Sequence, residues 1–175
     1  MTVIDLIHAL SARLESAGVS FGHGTTCAFD EAAWLVLWRL GLPLDALDEV
    51  AERLLTADEQ AAIDGLIEQR ISTRRPAAYL TQEAWLQGVS FHVDERVIVP
   101  RSFIAELIPE LFQPWVADPD AVTNVLELCT GSGCLAIMLA DAFPNAQIDA
   151  IDLSADALEV AARRSEEHTS ELQSH

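Results

Sequence analysis

The feature that most restricts this chain is the turn Thr130-Gly131-Ser132-Gly133, set between an apolar run and an alanine-rich segment. Residues 125–129 are apolar apart from Glu127 and read as a strand, and 134–143 have the length and composition of a helix. A second strand is predicted over 148–152, ending on Asp152, and Ser154 is placed to cap a further helix starting over 155–163. That β-α-β-α order is the opening of a doubly wound α/β domain, whose ligand crevice lies at the carboxyl ends of parallel strands. Glycines at such a strand-to-helix turn remove the Cβ atoms that would hold a ligand away from the backbone.

Asp152 follows the turn by about 20 residues, at the end of the neighbouring strand, where a carboxylate accepts hydrogen bonds from both hydroxyls of a ribose. Turn and aspartate together predict a nucleotide cofactor. Its candidate contacts are Glu127, Cys129, Thr130, Gly131, Ser132, Gly133, Asp152 and Leu153. The run Gly131-Ser132-Gly133-Cys134-Leu135-Ala136 also fits the dinucleotide pattern G-x-G-x-x-G/A, so a nicotinamide-dependent oxidoreductase competes. Charge separates the two. A pyrophosphate prefers a helix N-terminus with basic neighbours, whereas Glu127 is expected to bring a carboxylate to the mouth of the same strand. No Arg, Lys or His occurs between Arg101 and Arg163. S-adenosylmethionine carries a sulfonium and an ammonium and no phosphate, so it suits an acidic crevice and is the expected cofactor.

Upstream, apolar residues recur at helical spacing from Val3 to about Arg70, as in Ile4, Ile7, Leu10 and Leu14 and again in Trp34, Leu35, Leu37 and Trp38. Three or four helices are predicted, with Phe21-Gly22-His23-Gly24-Thr25-Thr26 as a glycine-broken connection. Asp30 is expected to cap the second helix, Gly41-Leu42-Pro43 to end it, and Thr56-Ala57-Asp58-Glu59 has the form of a capping box. The period then shifts towards two. A hairpin is expected around Gly88, another strand over 97–99, and a Ser102-capped helix carrying Ile104, Leu107, Ile108 and Leu111.

The formal net charge of −18 argues against nucleic acid as a partner. No stretch approaches the roughly 18 uncharged apolar residues of a membrane span, and the amino terminus lacks the basic and apolar regions of a secretory signal. A cytoplasmic protein is predicted. Cys27, Cys129 and Cys134 have no C-x-x-C spacing and the histidines no ligand spacing, so no metal is expected. His23, between two glycines, reads as a turn residue, and Trp34, Trp38, Trp85 and Trp115 as packing residues. From Arg164 onward the polar string resembles the conceptual translation of a sequencing adapter and is set aside as an artefactual tail. The division expected is 1–73 helical and substrate-recognising, 74–120 hairpin and helix linker, 121–163 the first half of a cofactor domain, and 164–175 tail. A further reading stays open, a non-catalytic adaptor of which only the helical part folds.

The segments Gly22-His23-Gly24-Thr25, Ala78-Tyr79-Leu80-Thr81, Phe91-His92-Val93-Asp94-Glu95-Arg96-Val97, Val99-Pro100-Arg101-Ser102 and Leu128-Cys129-Thr130-Gly131-Ser132-Gly133-Cys134 resemble the glutamine methyltransferases that modify translation proteins. In that family a helical domain and a hairpin linker precede a Rossmann-like catalytic domain. The release-factor branch typically has Pro-Arg-Pro-Glu-Thr-Glu after the hairpin and glycine at the position of Cys129. Pro100-Arg101-Ser102 and Cys129 therefore resemble the branch acting on large-subunit ribosomal protein L-three, with a release-factor glutamine methyltransferase as the alternative. The resemblance implies methyl transfer from S-adenosylmethionine to a glutamine side-chain amide, with a ribosomal protein as partner. It implies catalysis by an Asn-Pro-Pro-Tyr loop that these residues do not contain, so no catalytic residue is assigned and a truncated, inactive fragment is expected. Arg101 is placed either to contact cofactor or peptide substrate or to form a structural ion pair.

Overall fold

In the computed structural model residues 1–172 are described, with side chains as far as residue 163. Contacts divide the chain into two units, Met1–Thr81 and Gln82–His175.

The first unit is helical throughout. Helix α1 (Val3–Ser16) opens on a capping box: the Asp5 N–H donates to Thr2 Oγ1 and the Thr2 N–H to Asp5 Oδ2, both at 3.2 Å. Its buried residues Val3, Leu6, Ile7, Leu10 and Leu14 recur at three- and four-residue spacing. Each such aliphatic side chain contributes about 1.5–3 kcal/mol on burial. Helix α2 (Ala28–Leu40) is buried over every residue from 31 to 37, because α1, α4 and α5 all pack on it. Its N-cap is Cys27, whose Sγ accepts the Asp30 N–H at 3.5 Å, and not Asp30 as expected. A thiol is a weak acceptor and lies outside the usual set of capping residues. Gly41, in the left-handed region at φ 65°, ends α2 where expected. Short α3 (Leu47–Val50) leads to α4 (Ala57–Thr73), which opens on the Thr56–Glu59 capping box. Helix α5 (Ala77–Thr81) packs on α2 and α4, so this unit continues to Thr81, past the expected limit at 73.

The connection between α1 and α2 is pinned from inside. Arg70 Nε donates to Glu31 Oε1 at 2.7 Å, and both side chains are only 2% exposed. Arg70 also donates to the Ser20 carbonyl at 2.8 Å, and the Thr25 hydroxyl donates to Glu31 Oε2 at 3.3 Å. Gly24, at φ 110°, backs onto the Trp34 ring, which a Cβ would meet at 3.1 Å.

In the second unit β1 (Glu83–Leu86) and β2 (Val89–His92) form the expected hairpin, with Gln87 and Gly88 left-handed in its two-residue turn. The strand expected over 97–99 does not form. Val97 and Val99 are buried and Ile98 exposed, so the alternation is real, but no neighbouring strand pairs with it among the described residues. Arg96, just before it, donates to Asp94 and Glu159, and holds the Asp94 carboxyl down to about 2. Helix α6 is confined to Ile104–Leu107. Ser102 Oγ accepts the Ile104 N–H at 3.3 Å, but the N-cap is Phe103, which offers no side-chain acceptor, and not Ser102 as expected; Leu111 and Phe112 take left-handed backbone at φ 51° and 57°, which ends the helical path. Trp85 and Trp115 are 43% and 73% exposed, contrary to the expected packing role, whereas Trp34 is buried.

Strand β3 (Asn124–Leu128), helix α7 (Cys134–Ala142), strand β4 (Gln147–Ile151) and helix α8 (Ala155–Leu172) follow in the expected order. The strands pair in parallel, with Asn124 opposite Gln147 and Leu128 opposite Ile151. Both end one residue earlier than the sequence pattern suggests, leaving Cys129 and Asp152 in the connections. The core joins Phe91, Ala105 and Ile108 to Cys134, Met138, Leu139 and Phe143. Leu126, Leu128 and Ile151 remain more than half exposed, because the described residues place only two strands in this sheet. The backbone of α8 runs into the tail as far as Leu172; the tail's side chains, and residues 173–175 entirely, lie outside the described residues. No helix among the described residues is long and apolar enough to cross a membrane.

Candidate cofactor site

Parallel pairing sets the carboxyl ends of β3 and β4 side by side, so the turn after one meets the aspartate after the other. The Thr130 N–H donates to the Ile151 carbonyl at 3.0 Å, carrying the ladder one step past the strands. The Gly131 N–H then donates to Asp152 Oδ2 at 2.8 Å, and the Ser154 N–H to Asp152 Oδ1 at 2.9 Å. Backbone donation from Ser154 and then Gly131 holds the Asp152 carboxyl below its ordinary value, so it is ionised at neutral pH. A carboxylate offers about four lone-pair positions. Two are engaged here, and the group is only partly covered, so it retains acceptor capacity for a ligand. Leu153 beside it is fully exposed. Ser154 caps α8, its Oγ accepting the Ala157 N–H at 3.2 Å.

The turn itself is left-handed at Cys129 (φ 60°), Gly131 (φ 56°) and Gly133 (φ 78°). For a non-glycine residue such backbone costs about 1–2 kcal/mol, and at Cys129 it leaves the thiol exposed. Gly131 and Gly133 face different surroundings. A Cβ on Gly131 would meet nothing within 4 Å, so a ligand has open access to this backbone; on Gly133 it would meet Ala161 Cβ at 3.1 Å. Behind Gly133 a groove of about 340 Å³ is lined by apolar groups of α7, β4 and α8, including Ile137, Ala150 and Ala161. Its lining is mostly apolar, with Thr130 its one hydroxyl side chain, so the polar front formed by Gly131 and Asp152 is the candidate ligand surface. Ser132 is buried, its Oγ 3.0 Å from Cys134 Sγ.

Glu127 does not stand at the mouth of the strand, where the sequence placed it. It is 9% exposed and lies beneath the turn, accepting the Thr130 hydroxyl at 2.6 Å. Strand alternation carries the signal for this. Glu127 shares its parity with Val125, which packs on the core, and not with the exposed Leu126 and Leu128. Arg101 is exposed, and no hydrogen bond or ion pair joins it to a described residue. No group of metal-ligating side chains occurs among the described residues.

A family model described as a methyltransferase domain matches residues 125–175, which includes the turn, Asp152 and the start of α8. Over longer stretches the chain is 58% identical to a ribosomal protein uL3 glutamine methyltransferase of Burkholderia pseudomallei, across 160 residues that make up 91% of this chain and 52% of that protein. Over most of its length the chain is thus similar to uL3 glutamine methyltransferases. The protein of the same name from Bordetella pertussis is 54% identical over 95% of this chain and 56% of its own length, and that of Bradyrhizobium diazoefficiens 47% identical over 96% and 54%. The chain thus spans about half the length of the curated relatives it matches. The glycine turn lies within the stretch that matches the methyltransferase domain model.

Burial raises the Glu127 carboxyl above its ordinary value, with the Asp152 charge adding in the same direction against the hydrogen bond from Thr130. A group whose folded-state value is raised favours folding most while it is protonated, and that contribution is lost as pH rises from 4.5 through the folded value. Glu127→Gln removes the buried charge and keeps hydrogen-bonding atoms in place. Its thermal midpoint is expected to exceed that of the unaltered chain at pH 7–8 and to converge with it below pH 4.5. Melting curves across that range check this, and a midpoint lowered equally at every pH would contradict it.

Proposed function

We propose that this chain supplies the cofactor-binding part of an enzyme that transfers a methyl group from S-adenosylmethionine to the side-chain amide nitrogen of a glutamine in a large-subunit ribosomal protein. The observation that carries the reading is the Gly131–Asp152 hydrogen bond, which joins an open glycine backbone to an ionised carboxylate at the ends of two parallel strands. In this reading the free lone pairs of Asp152 accept the two ribose hydroxyls, and exposed Leu153 lies against the adenine. The 129–133 turn passes along the methionine portion, and Glu127 supports it from below. Arg101 remains available to the cofactor carboxylate or to the peptide substrate. The absence of basic side chains between Arg101 and Arg163 suits a cationic sulfonium donor better than a pyrophosphate.

When bound, S-adenosylmethionine supplies the electrophilic methyl group; this chain's residues hold and orient it. An amide nitrogen is a weak nucleophile because its lone pair is delocalised into the carbonyl, so the reaction depends on in-line positioning and on acceptors for the amide protons. No Asn-Pro-Pro-Tyr run occurs in the 175 residues to provide those acceptors. The acidic helical unit complements a basic ribosomal protein.

Titration calorimetry of the chain with S-adenosylmethionine tests this reading. Binding is expected, and Asp152→Ala is expected to weaken it by about a hundredfold or more, since hydrogen bonds to a charged acceptor contribute about 1.5–3 kcal/mol each. Equal binding of NAD, or no effect of Asp152→Ala, would sink the assignment.

A further inference from the structure

Helix α6 and the turn after it have two apolar sides, and the core uses one of them. Ala105 and Ile108 are buried in the cluster that holds Cys134, Met138 and Leu139 of α7. On the other side Phe103 is 86% exposed, Ile104 49% and Leu107 37%. Positions three and four apart are neighbours on a helical coil, so these three side chains form one ridge. The Phe112 N–H closes on the Leu107 carbonyl at 3.0 Å, which carries the coil past the helix itself. Glu106 and Glu110 flank the ridge at the same spacing. Both are exposed, and no hydrogen bond or ion pair joins either carboxylate to a described residue.

The ridge lies towards the cofactor turn. Phe112, at the far end of the coil, stacks on Phe143, the C-cap of α7, with ring centroids 6.1 Å apart. The coil therefore runs in the same sense as α7, and Phe103 and Ile104 stand towards the Cys134 end, where the glycine turn is. Chain order agrees: from Phe112 the backbone passes to the amino end of β3, and it reaches the turn only at the opposite end of that strand.

We propose that this ridge is a docking surface for the methyl-acceptor protein, an apolar anchor with a carboxylate rim that takes a segment bearing basic and apolar side chains. The identity of the partner rests on the acceptor reading above. Charge selects the occupant. Every charged side chain from 102 to 162 is a carboxylate, so the phosphates of nucleic acid or of an anionic membrane are repelled. A second copy of this chain would press one acidic rim against another. A basic protein is drawn in by the same field, and a surface at the cofactor end of α7 holds it where its amide must meet the methyl group. Arg101 precedes the ridge and is the nearest cation in sequence.

Fluorescence anisotropy of dye-labelled bacterial ribosomal protein uL3 with the 175-residue chain, without S-adenosylmethionine, tests the proposal. Phe103→Ser is expected to weaken binding by about tenfold or more, as for loss of an apolar anchor, while Leu126→Ser on the exposed sheet face stays within about threefold. Glu106→Lys is expected to weaken binding by about fivefold or more at low salt, with the difference shrinking as salt rises. Asp120→Lys makes the same change of charge beside the amino end of β3 and is expected to stay within about twofold. All four positions are exposed, and the variants are expected to melt with the unaltered chain.

The proposal is overturned if the chain does not bind uL3, if Phe103→Ser loses no more than Leu126→Ser, or if Asp120→Lys loses as much as Glu106→Lys. Sedimentation velocity is expected to show a monomer; a dimer that Phe103→Ser dissociates would make a second copy the occupant and overturn it as well. Calorimetry with S-adenosylmethionine keeps the two readings apart. Phe103→Ser is expected to leave that affinity within about threefold. A chain that binds both S-adenosylmethionine and uL3 but is indifferent to Phe103→Ser loses the docking surface and keeps the proposed function. One that binds uL3 through the ridge but not S-adenosylmethionine loses the cofactor assignment alone.

Discussion

Arg70→Met is expected to lower the stability of the helical unit by about 3–5 kcal/mol, because it strands the Glu31 carboxylate in an environment that is 2% exposed, with only the Thr25 hydroxyl at 3.3 Å left to it. Against the roughly 5–15 kcal/mol that holds a domain folded, such a loss is close to unfolding it. The same substitution removes the donor to the Ser20 carbonyl, so the connection between α1 and α2 loosens first. The double variant Glu31→Leu, Arg70→Met is expected to recover most of the loss, since a buried ion pair replaced by apolar groups of similar volume is commonly neutral or better. Urea denaturation of the two variants checks both statements. A single substitution costing under about 1 kcal/mol, or a double that is simply the sum of two losses, would show that the pair is not desolvated as the geometry indicates.

Gly133→Val is expected to remove both the fold of the second unit and its cofactor affinity. A β-branched residue at φ 78° carries about 1–2 kcal/mol of backbone strain, and its Cβ would stand 3.1 Å from Ala161 Cβ and 3.4 Å from Ala161 Cα, adding about 1–3 kcal/mol of overpacking. Pairing it with Ala161→Gly is expected to recover only the overpacking share, which separates the two causes. Far-ultraviolet circular dichroism in urea and calorimetry with S-adenosylmethionine report the effect; a variant that folds and binds like the unaltered chain would contradict the close approach of α7 and α8.

Much of this is legible without coordinates, for local reasons. The capping box at Thr56 needs only its own four residues, and the β-α-β order needs only an apolar run, a glycine turn and an aspartate at the right spacing. What escapes depends on partners that spacing does not reveal. Cys27 caps α2 because it happens to precede it, and a thiol gives no capping signal. Residues 97–99 alternate as a strand would and lack only a neighbour. Leu107, Ile108 and Leu111 keep helical spacing, but the left-handed backbone at Leu111 and Phe112 is invisible in apolar side chains. Glu31 and Arg70 lie 39 residues apart and meet only when α2 and α4 pack. The place of Glu127 before the turn marks it as important but points it the wrong way, although the pleat already dictates its inward direction.

The bond between Gly131 and Asp152 has a consequence for how the chain folds as well as for what it binds. Parallel strands of five residues joined through a helix could dock one residue out of step, and such a slip would exchange Ile148 and Ala150 for Asp149 and Ile151 on the side facing α7. It would also carry the Asp152 carboxylate to the opposite side, leaving Gly131 without its acceptor. Asp152 therefore discriminates between the native arrangement and its nearest misaligned neighbour before any ligand arrives, and the residue proposed to grip a ribose also acts as a proofreading contact for the two strands that present it.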